Sequence, residues 1–255
     1  MNSPHTPVPV ETKPAIEFRG VGKTFDTGTA ALSGIDLSVR PGEFVAVVGP
    51  TGCGKSTLLR LAAGLDSATA GQVDVAATTT SYVFQEATLL PWRSALGNVA
   101  LVGQLHGVAK DERIQRAKEA LELVGLTEFA KQLPRQLSGG MKMRVSLARA
   151  LVADPQLALF DEPFGALDEI TRLGMQTELQ RLFQVRGFAG LFITHSVSEA
   201  VYLSSRVIVM TGRPGRIAAD LTVPFSHPRS PELRYTPEFA RLTGEVSHVL
   251  EGHHS

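Results

Sequence analysis

A five-residue apolar run, Phe44-Val45-Ala46-Val47-Val48, leads directly into Gly49-Pro50-Thr51-Gly52-Cys53-Gly54-Lys55-Ser56-Thr57. A run without polar alternation is the pattern of a strand covered on both faces, as in a parallel sheet. The glycines that follow let the backbone curl so that successive N–H groups face one anion. The helix-forming segment Ser56 to Ala63 adds its positive end to the same point. Gly at the first position, Gly-Lys at the sixth and seventh and Ser next form the phosphate-loop pattern. In that geometry Lys55 reaches β- and γ-phosphates, and the Ser56 hydroxyl is a ligand for Mg²⁺. A glycine-rich hairpin turn is the competing reading, and the flanking strand and helix argue against it.

Leu157-Ala158-Leu159-Phe160-Asp161-Glu162 supplies a second apolar strand, with two acids at its C-terminal end. Open α/β sheets hold their ligands at that end. Asp161 suits Mg²⁺, directly or through water, and Glu162 suits a general base that polarises an attacking water. Taken alone, an Asp-Glu-Pro strand exit reads more often as a turn; the phosphate loop reverses that preference.

Further strands are expected over Ile16 to Phe18, Ile35 to Val39, Ser81 to Phe84, Leu191 to Thr194 and Arg206 to Met210. Strand character fades between Ala87 and Ala150. There Ile114, Ala117, Leu121 and Val124 recur at helical spacing within Asp111 to Val124. Another helix is expected after Ser138, running towards Ala153. The predicted class is α/β: a phosphate-loop NTPase core with an antiparallel β subdomain and a helical subdomain. The expected division is a loose leader over 1–15, core with β subdomain over 16–86 and helical subdomain over 87–150. The second part of the core follows over 151–225, then a tail over 226–255 with modest helical character.

The 255 residues carry 25 Lys plus Arg against 25 Asp plus Glu, so there is no basic footprint for nucleic acid. Cys53, the single cysteine, excludes an internal disulfide. No stretch approaches the roughly 20 apolar residues that cross a bilayer, and the proline-bearing N-terminus has no signal-like apolar run. Work at a membrane would require recruitment by a partner.

Three segments remain. Leu137-Ser138-Gly139-Gly140-Met141 places a capping serine and two glycines before a long helix, a second anion-binding start. Gln85 follows one strand and His195 follows another. From about Ile16 to Leu221 the set resembles the ATP-binding subunit of ABC transporters. The resemblance identifies Gly49 to Thr57 as the phosphate loop, Gln85 as the centre of the glutamine loop and Leu137-Ser138-Gly139-Gly140 as the signature. It makes Asp161-Glu162 the acidic pair, Gly165-Ala166-Leu167-Asp168 a loop crossing a dimer interface, and His195 the switch histidine. Phe25 falls where an aromatic stacks on adenine, although a lone aromatic is more often core.

The resemblance implies a head-to-tail homodimer closing over two ATP molecules with Mg²⁺. Each phosphate loop would face the Ser138, Gly139 and Gly140 of the other subunit, with Asp168 crossing the interface. Lys55, Glu162 and His195 are the implied catalytic residues, and Ser56, Gln85 and Asp161 the implied metal ligands. Tyr82 to Trp92, Pro163 to Asp168, Thr171-Arg172 and Arg213-Pro214-Gly215-Arg216 are similar to importers for nitrate, sulfonates and taurine. Met141, in place of a common Gln, is frequent in that group. Two departures are the short stretch from Gly64 to Tyr82, which implies a trimmed β subdomain, and Met143 in place of a polar glutamine. Residues 216–255 leave little room for a separate regulatory domain.

The implied partners are a permease docking near Gln85 to Trp92 and an extracytoplasmic solute-binding protein. The implied place is the cytoplasmic face of the inner membrane, peripheral through the permease. Leu89, Leu90 and Trp92 are expected to form the docking cluster, with serine at both leucines impairing permease binding and sparing the fold; closure of the helical subdomain's own core is the competing reading. An exporter subunit, a soluble ABC ATPase acting on DNA or ribosomes, and a small-molecule kinase are the competing classes. A kinase has no need of the Ser138, Asp168 and His195 elements. DNA-repair and translation relatives carry long coiled coils or paired ATPase halves, which are absent here.

Overall fold

The computed structural model describes residues 13–165 and 167–252. Most of the expected leader, and Ala166 of the expected interface loop, lie outside the described residues. Chain order begins β1 (Ile16–Thr24), β2 (Ala30–Val39), β3 (Phe44–Val48), α1 (Lys55–Ala62), β4 (Ala70–Val75) and β5 (Thr80–Val83). Next come α2 (Ala95–Leu105), α3 (Lys110–Leu123), α4 (Gly139–Leu151), β6 (Leu157–Asp161) and α5 (Glu169–Arg186). The chain continues through β7 (Ala189–Ile193), α6 (Val197–Leu203), β8 (Arg206–Met210), β9 (Ile217–Thr222) and α7 (Pro237–Glu251).

Strand β3 is buried along its whole length because both of its faces are covered. Its side chains alternate between two cores. Phe44, Ala46 and Val48 enter one formed with the helices α2 to α7, whereas Val45 and Val47 enter another formed with β1, β2 and α1. The main sheet runs β5-β6-β7-β3-β8-β9, parallel except for its last strand. A separate antiparallel sheet, β2-β1-β4, covers the α1 side. Within the main sheet Val47 pairs Ile193, and Ile193 pairs Asp161 on its other side. Three strands consequently end level with one another, and their following residues leave the sheet at one edge.

Expected strands recur with shifted ends: β1 and β2 are longer, β5 stops at Val83 and β7 at Ile193. The tail departs most from expectation. Residues 237–251 form a full helix, capped by Thr236 accepting from the Phe239 N–H, with Phe239, Leu242 and Val246 buried against the main core. A three- and four-residue apolar spacing explains that packing. Pro237 sits in the first helical turn, where its missing N–H costs no hydrogen bond.

Phe44 anchors an aromatic cluster, with Phe160, Phe183, Phe188 and Phe192 at centroid separations of 5.2 to 6.4 Å. Gly190 lies opposite Phe44 on β7, and a Cβ there would stand 2.4 Å from the Phe44 ring. Gly190→Ala should therefore destabilise the fold by about 1–3 kcal/mol, as overpacking does. Urea denaturation checks this, and an unchanged midpoint would contradict it.

Candidate active site

Gly54 is the hinge of the loop after β3. Its φ of 103° lies in the left-handed region, and a Cβ would stand 2.7 Å from Leu32 and 2.8 Å from the Ala31 carbonyl. Only glycine meets both demands. The loop leads directly into the N-terminus of α1, the end of a helix that favours an anion. Cys53 turns its side chain inward, where burial pushes the thiol pKa up, so this residue contributes backbone alone. Lys55 is also buried, and its Nζ donates to the Gly49 and Pro50 carbonyls at 2.8 and 3.0 Å.

Across the cleft, Asp161 ends β6. Its Oδ1 accepts from the Ser56 hydroxyl at 3.0 Å and its Oδ2 from the Tyr82 hydroxyl at 3.1 Å. Burial and the neighbouring Asp161 charge push the Tyr82 phenol well above its ordinary pKa, so it remains a donor. Glu162 has a φ of 46°, and its N–H donates to the Ile193 carbonyl. That left-handed backbone costs about 1–3 kcal/mol for a residue with a Cβ. The Glu162 Oε2 sits 3.2 Å from the His195 Nδ1. Sheet register explains the meeting, because Asp161 and Ile193 are direct partners on neighbouring strands.

A cleft of about 610 Å³ gathers Thr51, Gly52, Gly54, Lys55, Ser56 and Thr57 with Glu162 and His195. Gln85 enters from the segment after β5. Phe25 enters from the turn after β1, with the Lys23 ammonium 5.4 Å from its ring centroid. Phe25 is 38% exposed, so it is not the core residue that a lone aromatic usually is. Arg213 was not foreseen: it lines the cleft while its Nε donates to the Gly52 carbonyl at 3.3 Å. Its sequence signal was the Arg213-Pro214-Gly215-Arg216 turn, to which no role had been attached. Tyr82 was missed because its bond to Asp161 depends on pairing between strands far apart in sequence.

The signature residues are elsewhere. Ser138 caps α4 by accepting from the Met141 N–H at 3.2 Å, and a Cβ on Gly139 would meet nothing within 4 Å. Asp168 caps α5, accepting from the Thr171 N–H and hydroxyl at 3.0 and 2.7 Å. Those bonds hold its carboxyl below the usual range. Neither Ser138 nor Asp168 lines the cleft of its own chain. Beyond Gln85, Leu89 and Leu90 are half-buried, with Leu89 packed against the main core, whereas Trp92 is 72% exposed. The packing of Leu89 gives it a structural part beside any docking role, whereas Trp92 is the most exposed member of that cluster. Asn98, fully buried, and Arg149 fix the segment from beneath through the Leu90 and Thr88 backbone.

A parallel sheet ending in a glycine-rich anion loop, with an acid pair and a histidine at the same edge, defines a phosphate-loop nucleotide-binding ATPase. The ABC transporter family profile matches residues 32–165. An aliphatic sulfonates import ATP-binding protein of Agrobacterium fabrum is 49% identical over 97% of this chain and 88% of that protein. An uncharacterized ABC transporter ATP-binding protein of Methanocaldococcus jannaschii is 45% identical, over 87% and 84% respectively. A dimeric ATP-binding cassette in a post-hydrolysis state with ADP and Pi superposes with a TM-score of 0.74 at 31% identity, covering 83% of this chain and 100% of that one. The chain belongs to the ABC transporter family and is one of its ATP-binding subunits. No helix among the described residues is long and apolar enough to cross a membrane.

Gly54→Ala should weaken ATP binding by about tenfold or more, since the strain exceeds ~1.4 kcal/mol, one decade of affinity. Calorimetric titration of the folded variant measures this; wild-type affinity would contradict the assigned backbone role.

Proposed function

We propose that the chain hydrolyses ATP to energise import of a small solute, a sulfonate or related organic anion. The Glu162–His195 contact at the mouth of the phosphate loop carries the hydrolytic reading. Importer function and solute class are supported by the sulfonate-import relatives in Agrobacterium and Pseudomonas.

Lys55 exchanges its two carbonyl partners for phosphate oxygens, which are stronger, charged acceptors. Phe25 offers a ring face to adenine, and the backbone of Gly49 to Thr57 holds the phosphates. The Ser56 hydroxyl and the Asp161 carboxylate, already adjacent, present the hard oxygen donors that suit Mg²⁺. The Gln85 side chain, which also lines the cleft, would add a third oxygen. When bound, Mg²⁺ neutralises charge on the phosphate oxygens. Glu162 accepts a proton from the attacking water as its oxygen bonds the γ-phosphorus. The bond from that phosphorus to the bridging oxygen breaks, leaving ADP and phosphate. His195 holds the γ-phosphate and steadies Glu162 through the 3.2 Å contact.

A homodimer completes the site. Ser138, Gly139, Gly140 and Asp168 lie outside their own cleft, and the dimeric cassette relative supports pairing of two copies, in which each α4 start would face the partner's nucleotide. A two-fold axis then builds both sites identically. Trp92 supports docking of a permease at the segment after Gln85, because a large exposed aromatic on a rigid base suits an interface anchor. That docking would hold the chain at the cytoplasmic face of the inner membrane, beside a system that includes an extracytoplasmic solute-binding protein.

Replacement of the base is the decisive experiment. Glu162→Gln should retain ATP binding and lose at least about tenfold in turnover, the scale of general-base catalysis. Near-normal hydrolysis by the purified variant would remove Glu162 from the mechanism. Trp92→Ala should reduce co-purification with the permease while leaving basal hydrolysis unchanged, and undiminished capture would refute docking there.

A further inference from the structure

Buried polar side chains are costly unless satisfied, so each one implies a partner. Thr194, Gln176, Glu199, Gln180 and Arg229 are all buried on the far side of His195 from the nucleotide cleft, and the hydrolytic mechanism uses none of them. Thr194, Glu199 and Gln176 are linked by hydrogen bonds, and Gln180 and Arg229 form a second hydrogen-bonded pair beside them. The Thr194 hydroxyl donates to the Glu199 Oε2 at 2.5 Å, and the Ser196 N–H donates to the Thr194 Oγ1 at 3.0 Å. His195 thus sits between Thr194, whose hydroxyl the Glu199 carboxylate holds, and Ser196, whose N–H donates to that same hydroxyl. Glu199 Oε1 accepts from the Gln176 Nε2 at 3.1 Å, and Gln176 Oε1 accepts from the Arg234 Nη2 at 2.8 Å.

The amide of Gln176 has two ends that differ chemically. Arg234, which can only donate, keeps the Oε1 end towards itself and so the NH₂ end towards Glu199. Burial alone pushes the Glu199 carboxyl up, opposed by the Thr194, Arg172, Gln176 and His195 groups around it. The Arg172 Nε lies 3.8 Å from Glu199 Oε1, and its Nη2 donates to the Leu167 carbonyl before Asp168.

Arg234 itself is held from the tail. Its guanidinium stacks 3.2 Å above the Tyr202 ring. The Tyr202 hydroxyl donates to the Arg229 carbonyl, and Arg229 donates to the Val201, Tyr202 and Phe225 carbonyls. The C-terminal segment is therefore locked onto the end of α6, the helix whose first turn carries Glu199.

We propose that Arg234 and Gln176 are positioning residues for His195: through Glu199 and Thr194, the C-terminal segment fixes where the histidine stands against the nucleotide. This rests on the reading of His195 as a γ-phosphate contact. It assigns the tail a part in turnover that none of its residues could play directly.

Arg234→Met keeps the packing stem and deletes the donor, and Arg234→Lys restores a donor at the same place. In the full-length protein, Arg234→Met should lower kcat for ATP by about fivefold to tenfold, as small misplacements of a catalytic group do, with KM unchanged. Arg234→Lys should recover part of the loss. In a His195→Ala background, Arg234→Met should have no further effect, because coupled residues are not additive. Wild-type kcat in a folded Arg234→Met protein would overturn the proposal, as would an equal loss with and without His195. Should Arg234→Met not fold, Glu199→Gln carries the same test against His195→Ala, with the same two overturning results. If His195→Ala hydrolyses ATP like wild type, the reading of the site fails instead.

Discussion

The parallel pairing of β3, β7 and β6 is the constraint on which the rest depends. Ile193 stands between Val47 and Asp161, so the phosphate loop, the acid pair and the histidine leave the sheet side by side. Parallel strands need coverage on both faces, and the two cores on either side of β3 provide it. Chemistry at the edge is therefore set by packing in the middle. A slip of one residue in β6 would turn Glu162 away from His195 and break the Ser56–Asp161 contact together.

Each chain carries one phosphate-loop cleft and, apart from it, a second glycine-rich helix start at α4. Ser138 caps its own helix, and a Cβ built on Gly139 would meet nothing within 4 Å among the described residues. Helix starts of this kind are favourable anion sites only when a ligand arrives. On the proposed pairing, association of two copies over nucleotide would give both starts a phosphate, and closure would then depend on ATP.

Much of the core was legible because its signals are local. The apolar runs at Phe44 to Val48 and Leu157 to Phe160 mark buried strands, and the spacing of Gly49, Gly54 and Lys55 marks the loop. Strand β4 was hard to read: Ala70–Val75 is mostly exposed and contains Gly71, and its apolar alternation is confined to Val73 and Val75. Helix α7 was readable in the spacing of Phe239, Leu242 and Val246, but proline and histidine nearby obscured it. The Tyr82–Asp161 bond and the Glu199 network needed strand register and helix packing, which no local pattern encodes. Similarly, the half-burial of Leu89 depends on how the helices close over it.

Composite sites are the central claim, and a cross-link measures them most directly. In the Glu162→Gln protein, cysteines introduced by Ser138→Cys and Thr51→Cys would lie in different copies across a shared nucleotide, while Cys53 remains buried. A bifunctional thiol reagent long enough to span the nucleotide should, in the presence of ATP, give a covalently linked dimer that is absent without nucleotide. An ATP-bound dimer that forms no such link, although both cysteines are accessible in the monomer, would contradict the arrangement.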